Sequence, residues 1–570
     1  MLNFTHVKDP KTGEEYIETS LAGKILLNNP QLNKGTSFTE QERHVFGLLG
    51  KLPVQVEPLE EQVKRAYLQF QGYNNDLQRN IYLNNLHDKN QVLFYKLVSD
   101  HLSEMLPLIY TPIVGNAVKQ YSREFRQARG LYIAYPYGDR IEEILDNRSH
   151  PQIDLIVVTD GEGVLGIGDQ GVGGMDIPIA KLMVYTLCGG ISPLNTLPIL
   201  LDVGTDNELL LNDPLYLGLR HKRIRGKEYD DFIQKFIAAI QKKFPHVFLQ
   251  WEDFGRENAK KNLDLYHDKL CSFNDDIQGT GVVTMATIMA AAKANNSTLK
   301  DQRIVIFGAG AAGTGIADQI CAGMQHAGMT LQEARARLWL IDRPGLLTTA
   351  ITDVSPGQRP YLRDKNEVTS WALTTPNKID LLDTIKNVRP TILIGCSAQA
   401  GAFNQTVIEE MIKHVARPLI LPLSNPTDRV EAHPLDVLQW SNGKALIATG
   451  SPFPELEFNG KKIRIAQCNN ALVFPGIGLG VIATQATRLT DAMLWAACTT
   501  LSDCSPILKD PNAPLLPTLD TARDIARNIA CAVGQQAQQE GFAAKTSAAE
   551  LTNAINNIMW HPHYVPLRKI

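Results

Sequence analysis

Apolar positions change their rhythm along the chain. From about residue 38 to 128 they recur at helical spacing, as Leu93, Phe94, Leu97 and Val98 do, and Ser37 or Thr39 followed by Glu40 and Glu42 marks a helix start. From about 153 short β-branched runs take over. Ile153-Asp-Leu-Ile-Val-Val ends in Thr159-Asp160-Gly161, residues 197–201 end in Asp202-Val203-Gly204-Thr205-Asp206, and Val247-Phe-Leu-Gln-Trp ends in Glu252-Asp253. Helical segments such as 230–243 lie between them. This alternation predicts a parallel sheet whose ligands collect at the carboxyl ends of the strands. A second α/β unit begins at Arg303-Ile-Val-Ile-Phe and continues through 338–341, 390–395 and 418–423, with a Pro/Gly/Asp-rich surface insertion expected at 353–364. After Gln467 the pattern is helical again to about 540, and a polar tail follows.

Composition narrows the class. The 570 residues are 44% hydrophobic and 20% charged, enough for a sizeable core. Lys and Arg number 56 against 60 Asp and Glu, a net charge of −4, which removes the footprint of a dedicated nucleic-acid binder. The run Arg220-His221-Lys222-Arg223-Ile224-Arg225 reads as a solvated or subunit-facing stripe. Eight cysteines are scattered with no C-x-x-C pair, as in a reducing compartment. The N-terminus lacks an apolar signal core. The long uncharged stretches 182–201 and 465–487 are broken by Gly189-Gly190 and Pro475-Gly476, so they read as buried core rather than membrane spans. A cytoplasmic protein with no membrane and no nucleic-acid partner is expected.

Three constellations could carry chemistry. Gly308-Ala-Gly310-Ala-Ala-Gly313 follows one strand and opens a helix of small residues, the context in which such glycines bind a dinucleotide. The next strand ends in Asp342, where a carboxylate accepts a ribose 2′-OH and favours NAD over NADP. Arg343 follows directly and the spacing exceeds the usual ~20 residues, which leaves that preference open. Glu252-Asp253 and Asn274-Asp275-Asp276 offer hard oxygen donors suited to Mg²⁺ or Mn²⁺, although capping and turn formation are the commoner fates of such pairs. Neighbouring side chains on a strand diverge, so Glu252 and Asp253 can share one ion only where the strand gives way to a loop. Lys181, beside an apolar stretch, is either a partly desolvated base or a snorkelling surface lysine. Tyr110 is either a packing residue or a proton donor. Asn425 and Asn469-Asn470 sit in loops where amides can bind a carboxylate or simply form turns.

Together these segments resemble the malic enzyme family. The matching pieces include Tyr110-Thr-Pro-Ile-Val-Gly, Val158-Thr-Asp-Gly-Glu162, Leu201-Asp-Val-Gly-Thr-Asp-Asn207, Trp251-Glu-Asp-Phe254, residues 273–280, Gly308–Gly313, residues 423–427 and 467–476. They run in family order from about 35 to 490 and look closest to the bacterial NAD-dependent branch. The resemblance implies oxidative decarboxylation of (S)-malate to pyruvate and CO₂ with NAD. It implies Glu252, Asp253 and Asp276 as ligands of Mn²⁺ or Mg²⁺, Lys181 as general base supported by Asp275, and Tyr110 as proton donor. Gly308, Gly310, Gly313, Asp342 and Asn425 would hold cofactor; Asn425 and Asn470 would touch substrate. The expected fold is α/β: a helical N-terminal region at 1–128, a malate- and metal-binding parallel-sheet domain at 129–280 completed by 467–540, a Rossmann-type NAD-binding domain at 281–466, and a tail at 541–570. A homotetramer or homodimer is implied in the same way.

One position departs from the family. After Asp160-Gly161-Glu162 its members usually carry an arginine that helps hold the substrate carboxylate; here it is Gly163. Glycine cannot form the bidentate guanidinium–carboxylate pair. The related malolactic enzymes, which convert malate to lactate with bound NAD, also lack that arginine, and Asp176 and Lys181-Leu-Met-Val-Tyr-Thr186 look like theirs. Malolactic activity is therefore the alternative. A metabolite-sensing protein that has lost turnover is a third reading, against which Tyr110, Lys181 and the four acidic residues argue.

Overall fold

The structure, a computed structural model, describes residues 4–8, 13–164, 166–375, 378–425 and 427–570. The chain forms two compact units, one of Met1–Val164, Asp169–Val247 and Ile558–Ile570, the other of Leu165–Gly168 and Phe248–Asn557. The division at Phe248 falls earlier than the boundary at 280 drawn from the sequence pattern.

In the first unit the helical rhythm of the N-terminal third becomes Leu59–Gln71, Asp76–Lys89, Gln91–Asp100, Leu102–Ile109 and Val114–Glu124. The start signal resolves to Thr39. Its hydroxyl accepts the Glu42 N–H at 3.2 Å while the Glu42 carboxylate accepts the Thr39 N–H at 3.1 Å, a reciprocal cap for Glu40–Val45. Parallel strands follow in the order Leu131–Ala134, Thr196–Asp202, Leu155–Thr159. Every residue of Leu155–Thr159 is buried, as a strand covered on both faces must be. The helix Gly226–Lys243 buries Tyr229, Phe232, Ile233, Phe236, Ile237 and Ile240 along one stripe, each worth roughly 1.5–3 kcal/mol. Asp176–Gly189 differs: apart from Asp176 and Ile179 it is buried all round, and Gly190 at φ 67° ends it in the left-handed conformation.

The pattern missed a small sheet in this unit. Phe4–Lys8 and Glu15–Thr19 form an antiparallel hairpin, and Leu567–Lys569 adds to it in parallel. The stretch from 541, read as a polar tail, thus contains the helix Ala548–Ile558 and a strand paired across the whole length of the chain.

The second unit is built on a sheet whose order is Gly345–Leu346, Leu338–Asp342, Ile304–Phe307, Ile392–Gly395, Leu419–Pro422, Leu446–Thr449, Ala466–Gln467. All neighbours are parallel except the edge pair of Gly345–Leu346 with Leu338–Asp342. Ile304–Phe307, the first of these strands in sequence, lies inside the sheet, third from one edge. Chain order reverses on either side of it, the place where open α/β sheets bind ligands. Phe248–Trp251 and Ser272–Asn274 pair in parallel as a further element. The Ala-rich segments are the helices Thr280–Ala294, Phe474–Thr484, Asp491–Asp503 and Ala522–Gln539.

Candidate active site

Strand Phe248–Trp251 ends one residue before Glu252, so the two acids fall where strand becomes loop. Asp253 takes φ 54°, a left-handed conformation that aspartate tolerates better than most side chains. That turn overrides the alternation of a strand and brings Asp253 round beside Glu252. One carboxylate oxygen from each of Glu252, Asp253 and Asp276 lies within 4.8 Å of the others. Glu252 and Asp253 are 1% and 3% exposed. Buried Gln250 donates to Glu252 Oε2 at 2.7 Å, and the Asp253 N–H donates to Asp276 Oδ2 at 2.7 Å, so the oxygens are held by the surrounding chain. The span is close to the ~4.2 Å across an octahedral Mg²⁺ shell. Three hard donors so gathered fit a divalent cation.

Asp275 and Asp276 open a π-type turn, Asp275–Gly279, capped by Asn274 at the Ile277 N–H, 2.9 Å. Such turns recur at functional sites. The two carboxylates part company here. Asp276 joins the acid cluster, while Asp275 accepts Asn470 Nδ2 at 3.1 Å; the same amide donates to Thr280 Oγ1 at 3.1 Å. Gly279 permits this: a Cβ there would lie 1.9 Å from Asp275 Oδ1.

The glycine turn divides its labour. Gly308 has φ 104°, and a Cβ would strike the Cys396 carbonyl carbon at 2.4 Å; at Gly313 a Cβ would meet Gly308 O at 2.0 Å. Gly310 has nothing within 4 Å of its missing Cβ, so its backbone faces open space where a pyrophosphate can approach. Gly310 also begins the helix Ala311–His326, whose first N–H groups have no side-chain cap. Asp342 sits next to this turn. Gln358 Nε2 donates to Asp342 Oδ2 at 2.7 Å and to Ala309 O at 3.0 Å, and Arg256 Nη2 reaches Ala309 O at 2.9 Å. Neither Gln358 nor Arg256 carries a sequence signal. The segment 353–364, read as a surface insertion, instead tucks Gln358 and Tyr361 inward to 7% and 2% exposure. Asn425 Oδ1 accepts the Ser451 hydroxyl, which fixes its amide after strand Leu419–Pro422.

Lys181 and Tyr110 belong to the first unit. Lys181 is 2% exposed, which removes the snorkelling alternative, and its Nζ lies 5.1 Å from the centre of the Tyr110 ring. Tyr110 caps the helix Leu102–Ile109 and is itself buried.

The first unit also holds an ion network that the sequence pattern concealed. Arg223, read as part of a solvated stripe, has a side chain 1% exposed. Its Nε and Nη2 grip the Asp169 carboxylate at 2.7 and 2.9 Å, and Nη2 also reaches Asp160 O at 2.9 Å. Burial pushes the Asp160 carboxyl up to about 6 despite Arg223 at 3.8 Å. Burial opposes ionisation of Asp169 too, but the bidentate guanidinium overcomes it and holds that carboxyl below its usual range. Asp160 opens the Gly161–Gly163 loop, and Tyr229 donates to its Oδ2 at 2.7 Å.

Comparison with known proteins follows the same lines. The family model described as malic enzyme, N-terminal domain, matches residues 87–267, and that described as malic enzyme, NAD binding domain, matches 277–538. A Proteus mirabilis protein named NAD-dependent malic enzyme is 51% identical over 543 residues, 95% of this chain and 96% of its own. One of the same name from Pseudomonas savastanoi pv. phaseolicola is 50% identical over 550 residues, 96% and 98% of the two chains. Among solved structures, Entamoeba histolytica malic enzyme superposes with a TM-score of 0.55 at 21% identity over 90% of each chain, a likeness of fold alone.

Proposed function

The chain belongs to the malic enzyme family, and from that premise we propose that it oxidises and decarboxylates (S)-malate to pyruvate and CO₂ with NAD and a divalent metal. The observation that carries this reading is the convergence of Glu252, Asp253 and Asp276 in the unit that bears the open glycine turn. The three carboxylates would hold Mn²⁺ or Mg²⁺, and Gly308, Gly310 and Gly313 would receive the NAD pyrophosphate, with Asp342 at the ribose. When bound, the cation would polarise the malate C2 oxygen and offset the charge that develops as C4 leaves, and NAD would take the C2 hydride.

The chain's own groups handle the protons. Lys181 accepts the C2 hydroxyl proton, with Asp275 as its supporting carboxylate. Asn470, by donating to Asp275, orients that carboxylate as well as serving the substrate. Tyr110 delivers a proton to C3 of the enolate left by decarboxylation. Asn425, fixed by Ser451, presents its amide to substrate and cofactor. The malate- and metal-binding role assigned to 129–280 and 467–540, the cytoplasmic location and the homotetramer or homodimer belong to the same proposal. Among the described residues no helix is long and apolar enough to cross a membrane.

Gly163 favours one second reading. Without the arginine usual at that position, release of the first product and of NADH need not follow the malic enzyme course, and malolactic conversion is the alternative. Incubation with malate, NAD and Mn²⁺ separates the two: steady NADH absorbance with pyruvate supports the proposal, and lactate without net NADH replaces it with the alternative. In Lys181→Ala, turnover should fall by about 10³-fold while NAD binding persists. Unchanged turnover would remove the assigned base.

A further inference from the structure

The helix Asp176–Gly189 presents Lys181 toward Tyr110, but Leu182 and Met183 of the same helix face elsewhere. They form part of the wall of a cavity of about 510 Å³ within the first unit. That is ample for a small organic ligand. No residue assigned to catalysis, metal or cofactor lines it.

The lining has a definite chemistry. Tyr95, Leu182, Met183 and Leu194 contribute an apolar wall. Among the described lining residues, two guanidinium groups, Arg129 and Arg148, stand against one carboxylate, Asp88. Arg129 already neutralises Asp88 at 2.8 Å and is braced by Asn84 Oδ1 at 2.8 Å. The Asp88 carboxyl is accordingly held down at about 2: burial opposes the shift, and the neighbouring His87 ring, 3.9 Å away, together with the hydrogen-bonded Arg129 outweighs it. Arg148 leans over the Phe244 ring at 5.1 Å and uses Nη1 on Leu145 O, 3.0 Å, and Asp146 Oδ1, 3.2 Å. Asp146 is not part of the cavity wall and shares its other oxygen with Lys243 at 2.6 Å. The cavity therefore carries an excess of positive charge beside an apolar wall, the complement of an organic anion with a hydrophobic or aromatic body.

We propose that this cavity is an effector site for an amphipathic organic anion, a carboxylate, sulfonate or phosphate on an apolar body, and that occupancy acts on turnover through the helix that carries Lys181. A ligand can bias that helix only through differential contact with its two arrangements, and Leu182 and Met183 are the points of contact. The effect on turnover rests on the malate-oxidising reading; the binding itself does not, so the two can fail separately.

Anilinonaphthalene sulfonate, an aromatic anion that fluoresces when desolvated, is a suitable probe of the full-length protein with NAD held saturating to occupy the glycine turn. Arg148→Gln removes the guanidinium whose ion-pair partner, Asp146, lies outside the wall and is shared with Lys243, and Gln91→Trp fills the cavity from a wall that bears no catalytic group. Probe binding should persist under saturating NAD and weaken by about tenfold in either variant. Turnover of the unsubstituted protein should shift by about twofold or more as the probe is added, while both variants keep their basal turnover and lose the response. Binding that NAD abolishes, or that neither substitution weakens, would overturn the site. Binding that leaves turnover unchanged at saturation would overturn its role as an effector site.

Discussion

Two clusters of acids sit at the carboxyl ends of parallel strands in this chain, one in each compact unit, and they are built to opposite ends. In the first unit Asp160 follows Leu155–Thr159, and Asp169 lies nearby; Arg223 reaches both, so this cluster carries its own cation in a fixed bidentate grip. In the second unit Glu252, Asp253 and Asp276 turn their oxygens toward one another, held by Gln250 and by a backbone N–H. An acid at a strand end therefore says little alone. What distinguishes a buried structural network from a candidate metal site is whether the guanidinium is covalently part of the arrangement or the oxygens are gathered for an ion from solution.

Removing the internal cation should produce the largest effect. Arg223→Leu leaves Asp160 and Asp169 buried without their counter-charge, and removing one partner of such a network costs about 3–5 kcal/mol. Urea unfolding should show that loss, with aggregation or poor yield as its cellular form. A variant within about 1 kcal/mol of the parent would mean that water or another group already neutralises these acids, and the contrast between the clusters would collapse.

Asp276→Asn tests the other cluster. The amide oxygen can still accept the Asp253 N–H, so the fold should be nearly unaffected, but a charged ligand is lost. Transition-state charge stabilisation by a metal is worth several kcal/mol, so kcat/KM for malate should fall on the order of 10²–10³-fold with little change in unfolding free energy. Steady-state assays across a Mn²⁺ series check this. A large stability loss with unchanged activity would reverse the roles given to the two clusters.

These contrasts also show what the sequence made legible. The glycine turn was legible because strand, turn and helix adjoin within about a dozen residues, and no distant partner is needed to define it. The parallel sheets followed from apolar runs of uniform type, and Glu252-Asp253 from their position just past such a run. Arg223 was not legible: its partners Asp160 and Asp169 lie 63 and 54 positions away, and a basic run without those contacts looks like any solvated stripe. Gln358 was hidden for a related reason. Its link between Asp342 and Ala309 arises from a Pro- and Gly-rich segment whose composition suggests only a surface loop. The three-stranded sheet at the chain ends escaped because Leu567–Lys569 is too short to show alternation. Alternation lets Glu252 and Asp253 share an ion only where strand gives way to loop; the strand does end at Trp251, but the φ of 54° at Asp253 that turns the two together has no mark in the sequence.

A pH series separates the two acids of the first cluster. The Asp160 carboxyl is raised from 3.8 to about 6, so the folded state binds its proton more tightly than the unfolded state does. Stability from this group is full at low pH and is lost as pH rises through the window from 3.8 to about 6, by on the order of 3 kcal/mol at 1.36 kcal/mol per unit. Asp169 has the opposite sign: its carboxyl is lowered, and its contribution is present above its unfolded pKa and lost as pH falls. Asp160→Asn should flatten the decline toward pH 6, and Asp169→Asn should flatten the acid limb instead. Thermal midpoints measured at intervals between about pH 3 and 7 would show which limb each variant removes, and identical profiles would mean that the two carboxyls titrate as one unit.

The smallest effect is the most direct statement of the contrast, because it adds the missing element rather than deleting one. An ion that binds only the folded protein stabilises it by RT ln(1 + [L]/Kd), about 1.4 kcal/mol at ten times Kd. Mn²⁺ should therefore raise the thermal midpoint of the unsubstituted protein in the absence of malate and NAD, and EDTA should reverse the rise. Arg223→Leu, whose lesion lies in the other cluster, should retain the same increment on its lower baseline, since binding free energies at independent sites add. Asp276→Asn should lose it. If Mn²⁺ stabilised Asp276→Asn as much as the parent, the ion would be binding elsewhere, and the convergence of Glu252, Asp253 and Asp276 would have to be explained, like that of Asp160 and Asp169, by groups within the chain itself.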